Sequence, residues 1–335
     1  MLKEKIRGAV LGGIIGDALG TLVEDMDRET VKRAYGGAIL GFMEPSHLSV
    51  CPFLKKGQYS HESQIFLLAL KVYAEKGYFD ETLYIEKLIE WVKDEKSHRY
   101  PSGAHVNAAL SYAAGLEPEE ARVKACDVDG AIPAVASGLF RWDNSFEAYQ
   151  EGAYVASITH SDETLVDSAG ILAAAVSLVV GGRVELSTLE SKLSFVDSLR
   201  ELSKSENVKG YLDLLIQVLK RGEVPLDEVI LMIGNGTFAP EAITLSLYIF
   251  LRYPNSFKRA LLSAVNSYGD FGGDTDAVGF ITGTLSGGYL SVSAVPREWI
   301  ECLEGLKDIE ITIEKFIEND ELFCLTYGDG LANIN

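Results

Sequence analysis

Apolar residues in this chain recur mostly at helical spacing, and the strict alternation that marks a half-buried strand is weak throughout. Candidate N-caps precede several of these segments; Asp80, Ser145 and Asn255 are each expected to cap a helix that begins one residue later. The pattern predicts helices near residues 3–20, 61–77, 80–95, 103–115, 145–158, 163–181, 188–203, 207–221, 240–252, 255–268, 275–290 and 307–318.

No feature of the sequence marks a boundary between domains. The chain has only nine prolines, no Pro/Gly/Ser-rich linker and no internal repeat of 20–50 residues. The sequence therefore predicts one all-α domain over residues 1–335. Two irregular stretches, residues 33–58 and 95–102, are predicted to be loops over a cleft.

Two of the predicted helices carry a glycine at every fourth position, so each has a stripe without side chains along one face. The glycines are Gly8, Gly12, Gly16 and Gly20 in the first helix and Gly279, Gly283 and Gly287 in the other. Glycine inside a helix costs about 1 kcal/mol relative to alanine, so the stripes need a packing reason. Both helices are predicted to be buried, either against each other or each against another helix. Packing against each other would bring Asp17 and Glu24 towards Asp274 and Asp276.

The segment Gly273-Asp274-Thr275-Asp276 opens an apolar run that continues to Tyr289. Two carboxylates two residues apart at a helix entrance offer four oxygens, which is the kind of ligand that magnesium prefers. The alternative is an ordinary N-cap aspartate followed by an aspartate in the first turn.

Composition narrows the classes of partner. The chain has 335 residues, of which 47% are hydrophobic, and a formal net charge of −19. Such a charge argues against nucleic acid or an anionic membrane as partner. It also means that an anionic substrate would have to be held by a metal or by backbone amides.

The cysteines and the apolar segments indicate a cytoplasmic protein. The cysteines are scattered without a CxxC pair and are expected to be reduced. They are Cys51, Cys126, Cys302 and Cys324. The N-terminal segment looks superficially like a signal peptide, but Asp17 interrupts its apolar run. The stretch from Ala169 to Val180 is too short to span a bilayer and is predicted to be a buried helix.

Several motifs occur together in the order that one family shows. They are Gly8 to Glu24, Gly57-Gln58-Tyr59-Ser60-His61-Glu62-Ser63, Gly103 to Leu110, Asp129-Gly130-Ala131, Thr159-His160-Ser161, Pro240 to Leu251 and Gly273-Asp274-Thr275-Asp276. Over nearly its whole length the chain resembles the ADP-ribosylglycohydrolase family, of the dinitrogenase-reductase-activating glycohydrolase type. The resemblance implies an orthogonal bundle of α-helices around a binuclear magnesium site. It also implies hydrolysis of the bond between ADP-ribose and an acceptor such as a protein arginine or serine.

The resemblance also assigns roles to individual residues. Glu24 matches a catalytic glutamate near the scissile bond. Substrate binding is assigned to Asp17, Gly130, Ala131 and His160, with backbone amides around Gly130 holding the diphosphate. The implied metal ligands are Ser60, His61, Glu62, Asp274 and Asp276. His160 also fits a satisfied core histidine, and His47, His98 and His105 have no evident chemical context.

The chain departs from the family pattern at the metal site. His61-Glu62 stands where the family has two aspartates, and Ala277 offers no oxygen where the family has threonine or serine. Imidazole suits manganese, zinc or nickel better than magnesium. Three outcomes are open: one metal instead of two, a different metal such as manganese, or none, with His61 hydrogen-bonded to Glu62 or Asp274.

A second departure concerns the phosphate loop, because the segment after Gly130 lacks the arginine that the family has there. The sequence thus favours a metal-dependent hydrolase that removes ADP-ribose from an N- or O-linked acceptor. Two alternatives remain: a family member that binds ADP-ribose or a nucleotide, or serves a structural role, with little or no catalysis, and an N-ribosyl hydrolase that acts on nucleosides. The acceptor and the oligomeric state stay open.

Overall fold

The computed structural model describes residues 1–327, with side chains described through residue 319. The described chain is all-α. Its helices are α1 (Leu2–Gly20), α2 (Arg28–Tyr35), α3 (His61–Lys76), α4 (Glu81–Lys93), α5 (Gly103–Ala113), α6 (Pro118–Ala121), α7 (Ala134–Phe140), α8 (Ser145–Ser157), α9 (Glu163–Val180), α10 (Leu189–Leu202), α11 (Glu206–Lys220), α12 (Leu226–Ile233), α13 (Ala239–Arg252), α14 (Phe257–Val265), α15 (Thr275–Leu290), α16 (Arg297–Ile300) and α17 (Leu306–Tyr327). Three 3₁₀ turns lie at Glu95–Ser97, Val128–Ala131 and Val292–Ala294.

The prediction of an all-α fold is confirmed, and each predicted helix has a counterpart in the structure. Three helices of seven or eight residues, α2, α7 and α12, were not predicted from the pattern. Each is too short to show a helical period clearly. The predicted loop 33–58 therefore begins inside α2, and one domain over residues 1–335 stays a prediction because residues 328–335 lie outside the described part.

Of the three predicted N-caps, the structure confirms one. The Asp80 side chain accepts a hydrogen bond from the amide of Leu83, as predicted. At α8 the cap is Asn144 and not Ser145, because the Asn144 side chain accepts from two amides of the first turn. At α14 the cap is Ser256 and not Asn255, since the Ser256 hydroxyl accepts from the Arg259 amide.

Helices α1 and α15 run antiparallel at the centre of the fold with their backbones in direct contact. Every residue from Gly8 to Gly20 and from Thr275 to Gly288 is buried. A methyl group added at Gly16 would lie only 2.0 Å from the carbonyl oxygen of Gly279. Gly12 faces Gly283 and Gly8 faces Gly287 in the same way. The two stripes therefore pack on each other, and the alternative in which each packs on a different helix is wrong.

Helix α9 also lies in the core. By length and composition it could cross a membrane, but 78% of its residues are buried inside the protein. This burial agrees with the buried helix that the apolar stretch from Ala169 to Val180 predicted. Cys51, Cys126 and Cys302 are free thiols, and the side chain of Cys324 lies outside the described residues.

Candidate active site

The last turn of α1 supplies a carboxylate to the start of α3. Asp17 is fully buried, and its two oxygens accept hydrogen bonds at 2.9 Å from the amides of Ser60 and Ser63. The Thr21 hydroxyl donates a further bond of 3.0 Å to the same carboxylate. A negative charge at a helix N-terminus is stabilised by the unpaired amides and the helix dipole. Asp17 therefore fixes where α3 begins, and its predicted contact with substrate stays a prediction.

Glu24 accepts hydrogen bonds from the amides at the start of α15, as Asp17 does at the start of α3. Its Oε2 accepts from the Thr275 amide at 2.6 Å, from the Asp276 amide at 3.2 Å and from the Thr275 hydroxyl at 3.1 Å. Only 4% of Glu24 is exposed. The segment from Asp17 to Glu24 thus holds the N-termini of α3 and α15 side by side.

The start of α3 presents the altered motif. The Ser60 side chain caps the helix, and its hydroxyl donates to Oε2 of Glu62. The Nε2 atom of His61 lies 3.0 Å from Oδ2 of Asp129, in the turn Val128–Ala131. Its Nδ1 atom lies 2.9 Å from Oε2 of Glu62, but the angle is wrong for a hydrogen bond, and Nδ1 has no hydrogen-bond partner among the described residues. His61 thus contacts two carboxylates: Glu62, which was expected, and Asp129, which was not.

At the start of α15, Asp274 is the N-cap and Asp276 lies in the first turn. Oδ1 of Asp274 accepts from the Ala277 amide at 3.3 Å, and Oδ1 of Asp276 accepts from the same amide at 2.9 Å. The predicted convergence of Glu24, Ser60–Glu62 and Asp274–Asp276 is what the structure shows. Three groups have potential ligand atoms within 4.8 Å of one another: His61, Glu62 and Asp129; Asp17, Glu62 and Asp276; and Glu24, Asp274 and Asp276. We call these residues the acidic cluster.

Burial and mutual repulsion perturb the carboxylates of the acidic cluster. Burial raises the pKa of Glu24 well above its usual range, and the charges of Asp276 and Asp274 raise it further. The pKa values of Glu62 and Asp274 are raised well above their usual range in the same way. Burial, helped by Asp17, raises the pKa of Asp276 to about 6. A cation placed among these groups would relieve their repulsion.

His61 is the one basic group of the acidic cluster. Burial by itself would lower the pKa of its imidazole, but the carboxylates of Glu62 and Asp129 raise it well above the usual value. Burial by itself would raise the pKa of Asp129, but the neighbouring His61 lowers it to about 2. One imidazole cannot balance the surrounding carboxylates. The donor set of oxygens with an unpaired imidazole nitrogen therefore fits a divalent metal ion.

Gly130 and His160 pack together beside the acidic cluster. A methyl group at Gly130 would lie 2.7 Å from Cε1 of His160 and 2.6 Å from Cδ2 of Leu165. The Gly130 amide bonds to the Asp127 carbonyl at 3.3 Å, within the turn that ends at Ala131. His160 is fully buried, and its Nδ1 lies 2.9 Å from the Thr159 hydroxyl. The roles of Gly130, Ala131 and His160 in substrate binding stay predictions.

Two residues of this region could not be recognised from the sequence. Asp129 was part of a quoted motif, but nothing indicated that it would contact His61. His105 is fully buried with its ring centroid 5.1 Å from that of His160, and neither ring nitrogen has a hydrogen-bond partner among the described residues. Burial lowers the pKa of His105 to about 3, so this histidine is neutral. In the sequence it stands in an alanine-rich segment that has no acidic residue, lysine or arginine between Pro101 and Leu116, so nothing marks it.

The predicted loop 95–102 crosses the entrance to the acidic cluster. Arg99 donates to the carbonyl of Tyr59 at 3.1 Å, next to Ser60. The Tyr100 hydroxyl donates to Oδ2 of Asp25 at 2.8 Å, next to Glu24. Tyr100 and Asp25 both have left-handed backbones, with φ of 56° and 58°. Two such residues that bond to each other at a candidate site indicate local strain, which occurs often at functional positions.

The helical fold is that of ADP-ribosylglycohydrolase-related proteins. A solved chain described as an ADP-ribosylglycohydrolase-related protein complex superposes with a TM-score of 0.70 at 21% identity, covering 95% of this chain and 99% of the other. The sequence model described as ADP-ribosylglycohydrolase matches residues 1–325. The chain therefore belongs to the ADP-ribosylglycohydrolase family, and the family resemblance noted in the sequence is confirmed.

Several proteins match this chain over most of their length, although at low sequence identity. The ADP-ribosylarginine hydrolase Tri1 of Pseudomonas putida is 24% identical over 97% of this chain and 82% of its own. The ADP-ribosylhydrolase ARH3 of Homo sapiens is 23% identical over 92% of this chain and 91% of its own. An uncharacterised protein of Archaeoglobus fulgidus is 26% identical over 93% and 95% of the two chains. By their names, Tri1 and ARH3 are both hydrolases.

Proposed function

We propose that this protein is a metal-dependent hydrolase that removes ADP-ribose from a modified acceptor through an N- or O-ribosyl bond. The proposal depends on one observation: the Glu24 carboxylate lies close to the N-termini of both α3 and α15. Five of the carboxylates brought together there, Asp17, Glu24, Glu62, Asp274 and Asp276, are at most 4% exposed. Structural stability alone does not favour such a concentration of buried like charge. A site for a cation and a reacting sugar accounts for it.

The residues that would hold the metal are Ser60, His61, Glu62, Asp274 and Asp276. Polarisation of the ribose hydroxyls and of a water molecule is the chemistry that a divalent cation supplies when bound there. Magnesium, manganese and other divalent ions remain candidates under this proposal. The Ala277 methyl group provides no ligand, so one or two ions are both compatible with the residues present.

In the reaction, the bond from the anomeric carbon of the ribose to the acceptor nitrogen or oxygen breaks. Water adds to the anomeric carbon as a new hydroxyl group that keeps one of its protons, and the other proton passes to the departing acceptor atom. Cleavage of this kind proceeds through an oxocarbenium-like state and is assisted by an acid and a base. Burial raises the pKa of Glu24, which favours a carboxyl that can hold a proton, as an acid in this step requires. Glu24 acts as this proton carrier or anchors the ribose.

The diphosphate would lie towards the turn at Gly130. Gly130 keeps the turn close to His160, because any larger side chain would displace the imidazole. No arginine follows the turn in the segment Ile132 to Ser137. Backbone amides and His160 are therefore the groups proposed to bind the phosphates. Asp17 would contribute indirectly, by fixing the start of α3.

The partner is proposed to be an ADP-ribosylated protein or a small ADP-ribosyl compound, and not nucleic acid or a membrane. The hydrolase Tri1 and the hydrolase ARH3 support this class of substrate by their names. A cytoplasmic location is proposed as well. The free thiols of Cys51, Cys126 and Cys302 support it, because reduced cysteines are typical of that compartment.

The test is release of ADP-ribose from ADP-ribosyl-arginine and ADP-ribosyl-serine peptides, measured by chromatography with magnesium or manganese present. Glu24→Gln keeps an oxygen for the α15 amides but removes the ionisable group, and should lower the rate by about 10²- to 10⁴-fold. Glu29→Gln, the same change at an exposed position of α2, is the matched control and should leave the rate unchanged.

The alternatives give different results in the same assay. A protein that binds ADP-ribose, as a rise in melting temperature would show, but releases none from either peptide with any metal would be a binding member of the family. Release of the base from free ribonucleosides, without action on the peptides, would identify an N-ribosyl hydrolase of nucleosides. Equal rates for wild type and Glu24→Gln would contradict the role given to Glu24.

A further inference from the structure

His61 is held in the orientation that a metal-binding histidine needs. Its Nε2 lies 3.0 Å from Oδ2 of Asp129 and donates its proton to that carboxylate, while the side chain is only 5% exposed. Histidines that bind metals usually donate the other ring N–H to a carboxylate in this way, which fixes the tautomer. Nε2 is thus occupied by Asp129, and Nδ1 is the ring nitrogen that faces the rest of the acidic cluster.

The Nδ1 atom faces the carboxylate of Glu62. It is 2.9 Å from Oε2 of Glu62, with no hydrogen bond between them. That oxygen already accepts from the Ser60 hydroxyl. A proton on Nδ1 makes this contact an ion pair in the metal-free protein. A metal ion bound to Nδ1 would take the place of that proton beside the Glu62 carboxylate.

Glu62 connects this nitrogen to the rest of the acidic cluster. It shares one group of ligand atoms with His61 and Asp129, and a second with Asp17 and Asp276. A cation beside Glu62 can therefore take a nitrogen from His61 and oxygens from the carboxylates. Mixed nitrogen and oxygen donors suit manganese, zinc, cobalt or nickel, whereas magnesium takes oxygen ligands and keeps several waters.

We infer that His61 is a nitrogen ligand, oriented by Asp129 as a positioning residue, and that it makes the acidic cluster select a transition-metal ion over magnesium. The inference rests on the proposed function only in placing the metal among the same residues. Binding at Nδ1 releases any proton that this atom carries in the metal-free protein.

The decisive experiment uses the full-length protein, freed of metal with a chelator and then loaded with Mn²⁺. Pulsed electron paramagnetic resonance detects the magnetic coupling between Mn²⁺ and a directly bound imidazole nitrogen. The wild type should show this ¹⁴N coupling, and titration calorimetry at fixed pH should show Mn²⁺ binding at least about tenfold tighter than Mg²⁺. Absence of the coupling in the wild type, or equal affinity for the two ions, would overturn the inference.

Variants separate the two residues. His61→Asp should abolish the ¹⁴N coupling and bring the affinities for Mn²⁺ and Mg²⁺ closer together, because all ligands are then oxygens. Asp129→Asn keeps an acceptor for Nε2 but loses the charge, and should weaken Mn²⁺ binding by about 10- to 100-fold while keeping the coupling. His47→Asp makes the same change at an exposed histidine and should alter neither measurement.

Failure of this inference can be told apart from failure of the proposed function. A wild type that binds Mn²⁺ through nitrogen but releases no ADP-ribose contradicts only the hydrolase. One that releases ADP-ribose with Mg²⁺ and shows no ¹⁴N coupling contradicts only the inference about His61. If His61→Asp fails to fold, the wild-type spectrum and Asp129→Asn still decide the question.

Discussion

Replacing Gly16 by alanine tests whether the backbone contact between α1 and α15 holds the fold together. The added methyl group would lie 2.0 Å from the carbonyl oxygen of Gly279 and 2.3 Å from its carbonyl carbon, whereas ordinary contact begins at 3.4 Å. Both atoms belong to backbone in the middle of a buried helix, so no flexible side chain can move aside. The two helices have to separate, and the neighbouring contacts of Gly12 and Gly20 loosen with them.

Two opposing effects set the size of the change. Alanine is a better helix former than glycine and contributes about 1 kcal/mol in favour of the variant. Overpacking of a dense core typically costs 1–3 kcal/mol, and more where backbone must shift. We therefore expect Gly16→Ala to lower the free energy of unfolding by about 2 kcal/mol or more. Because α1 carries Asp17 and leads directly into Glu24, the metal affinity of the acidic cluster should fall as well.

Urea denaturation followed by circular dichroism measures this free energy, in metal-free protein so that binding does not contribute. Gly210→Ala is the matched control, because Gly210 lies in the exposed face of α11 and an added methyl group has nothing within 4 Å. That variant should be stabilised by up to about 1 kcal/mol. If Gly16→Ala proves as stable as Gly210→Ala, the reasoning from the glycine stripes is wrong.

Two further predictions concern the site. In the folded protein the pKa of Asp276 is raised to about 6 from an ordinary value of 3.8, and those of Glu24, Glu62 and Asp274 are also raised, so folding favours their protonated forms. The contribution of Asp276 to stability is fully present below about pH 3.8 and is lost as the pH rises through about 6. The free energy of unfolding of metal-free protein, from urea denaturation, should therefore fall between pH 5 and pH 8, by about 1.4 kcal/mol for Asp276, and saturating Mn²⁺ should reduce this fall. A free energy of unfolding that rises over this range would contradict the assigned shifts. Gly130→Ala should lower the free energy of unfolding by about 1–3 kcal/mol and weaken the thermal shift that ADP-ribose produces. Gly103→Ala is the control and should change neither quantity, because the added methyl group has open space around it. Equal behaviour of the two variants would refute the packing of Gly130 on His160.

The sequence predicts the centre of this fold well because its features there are repetitive. Glycine at every fourth position has one common explanation, close contact between helices, and Gly16 meeting Gly279 confirms it. If the two glycine stripes pack on each other, Glu24 is expected to lie near Asp274, and this expectation needs no knowledge of the structure. Both predictions depend on spacing along single helices, which sequence shows directly.

The parts that escaped prediction depend on contacts between distant segments. Asp129 meets His61 only because the turn at residues 128–131 packs against the start of α3, and no local pattern encodes this. His105 lies in an apolar helix, and its neighbour His160 comes from a different segment. Helix α7 is only seven residues long and is stabilised by packing of its fully buried side chains, so its sequence carries little helical signal of its own.

The pairing of α1 with α15 has a consequence for how the protein is made. The Glu24 carboxylate and the Thr275 amide that it binds are 251 positions apart in the chain. During synthesis from the N-terminus, α1 is among the first helices to leave the ribosome, and its partner is among the last. Until residues 274–290 have emerged, the glycine face of α1 has no surface to cover it, and two of the seven residues of the acidic cluster, Asp274 and Asp276, are missing. A polypeptide that stops before Thr275 therefore cannot assemble the acidic cluster, so any metal binding there requires that synthesis has passed α15.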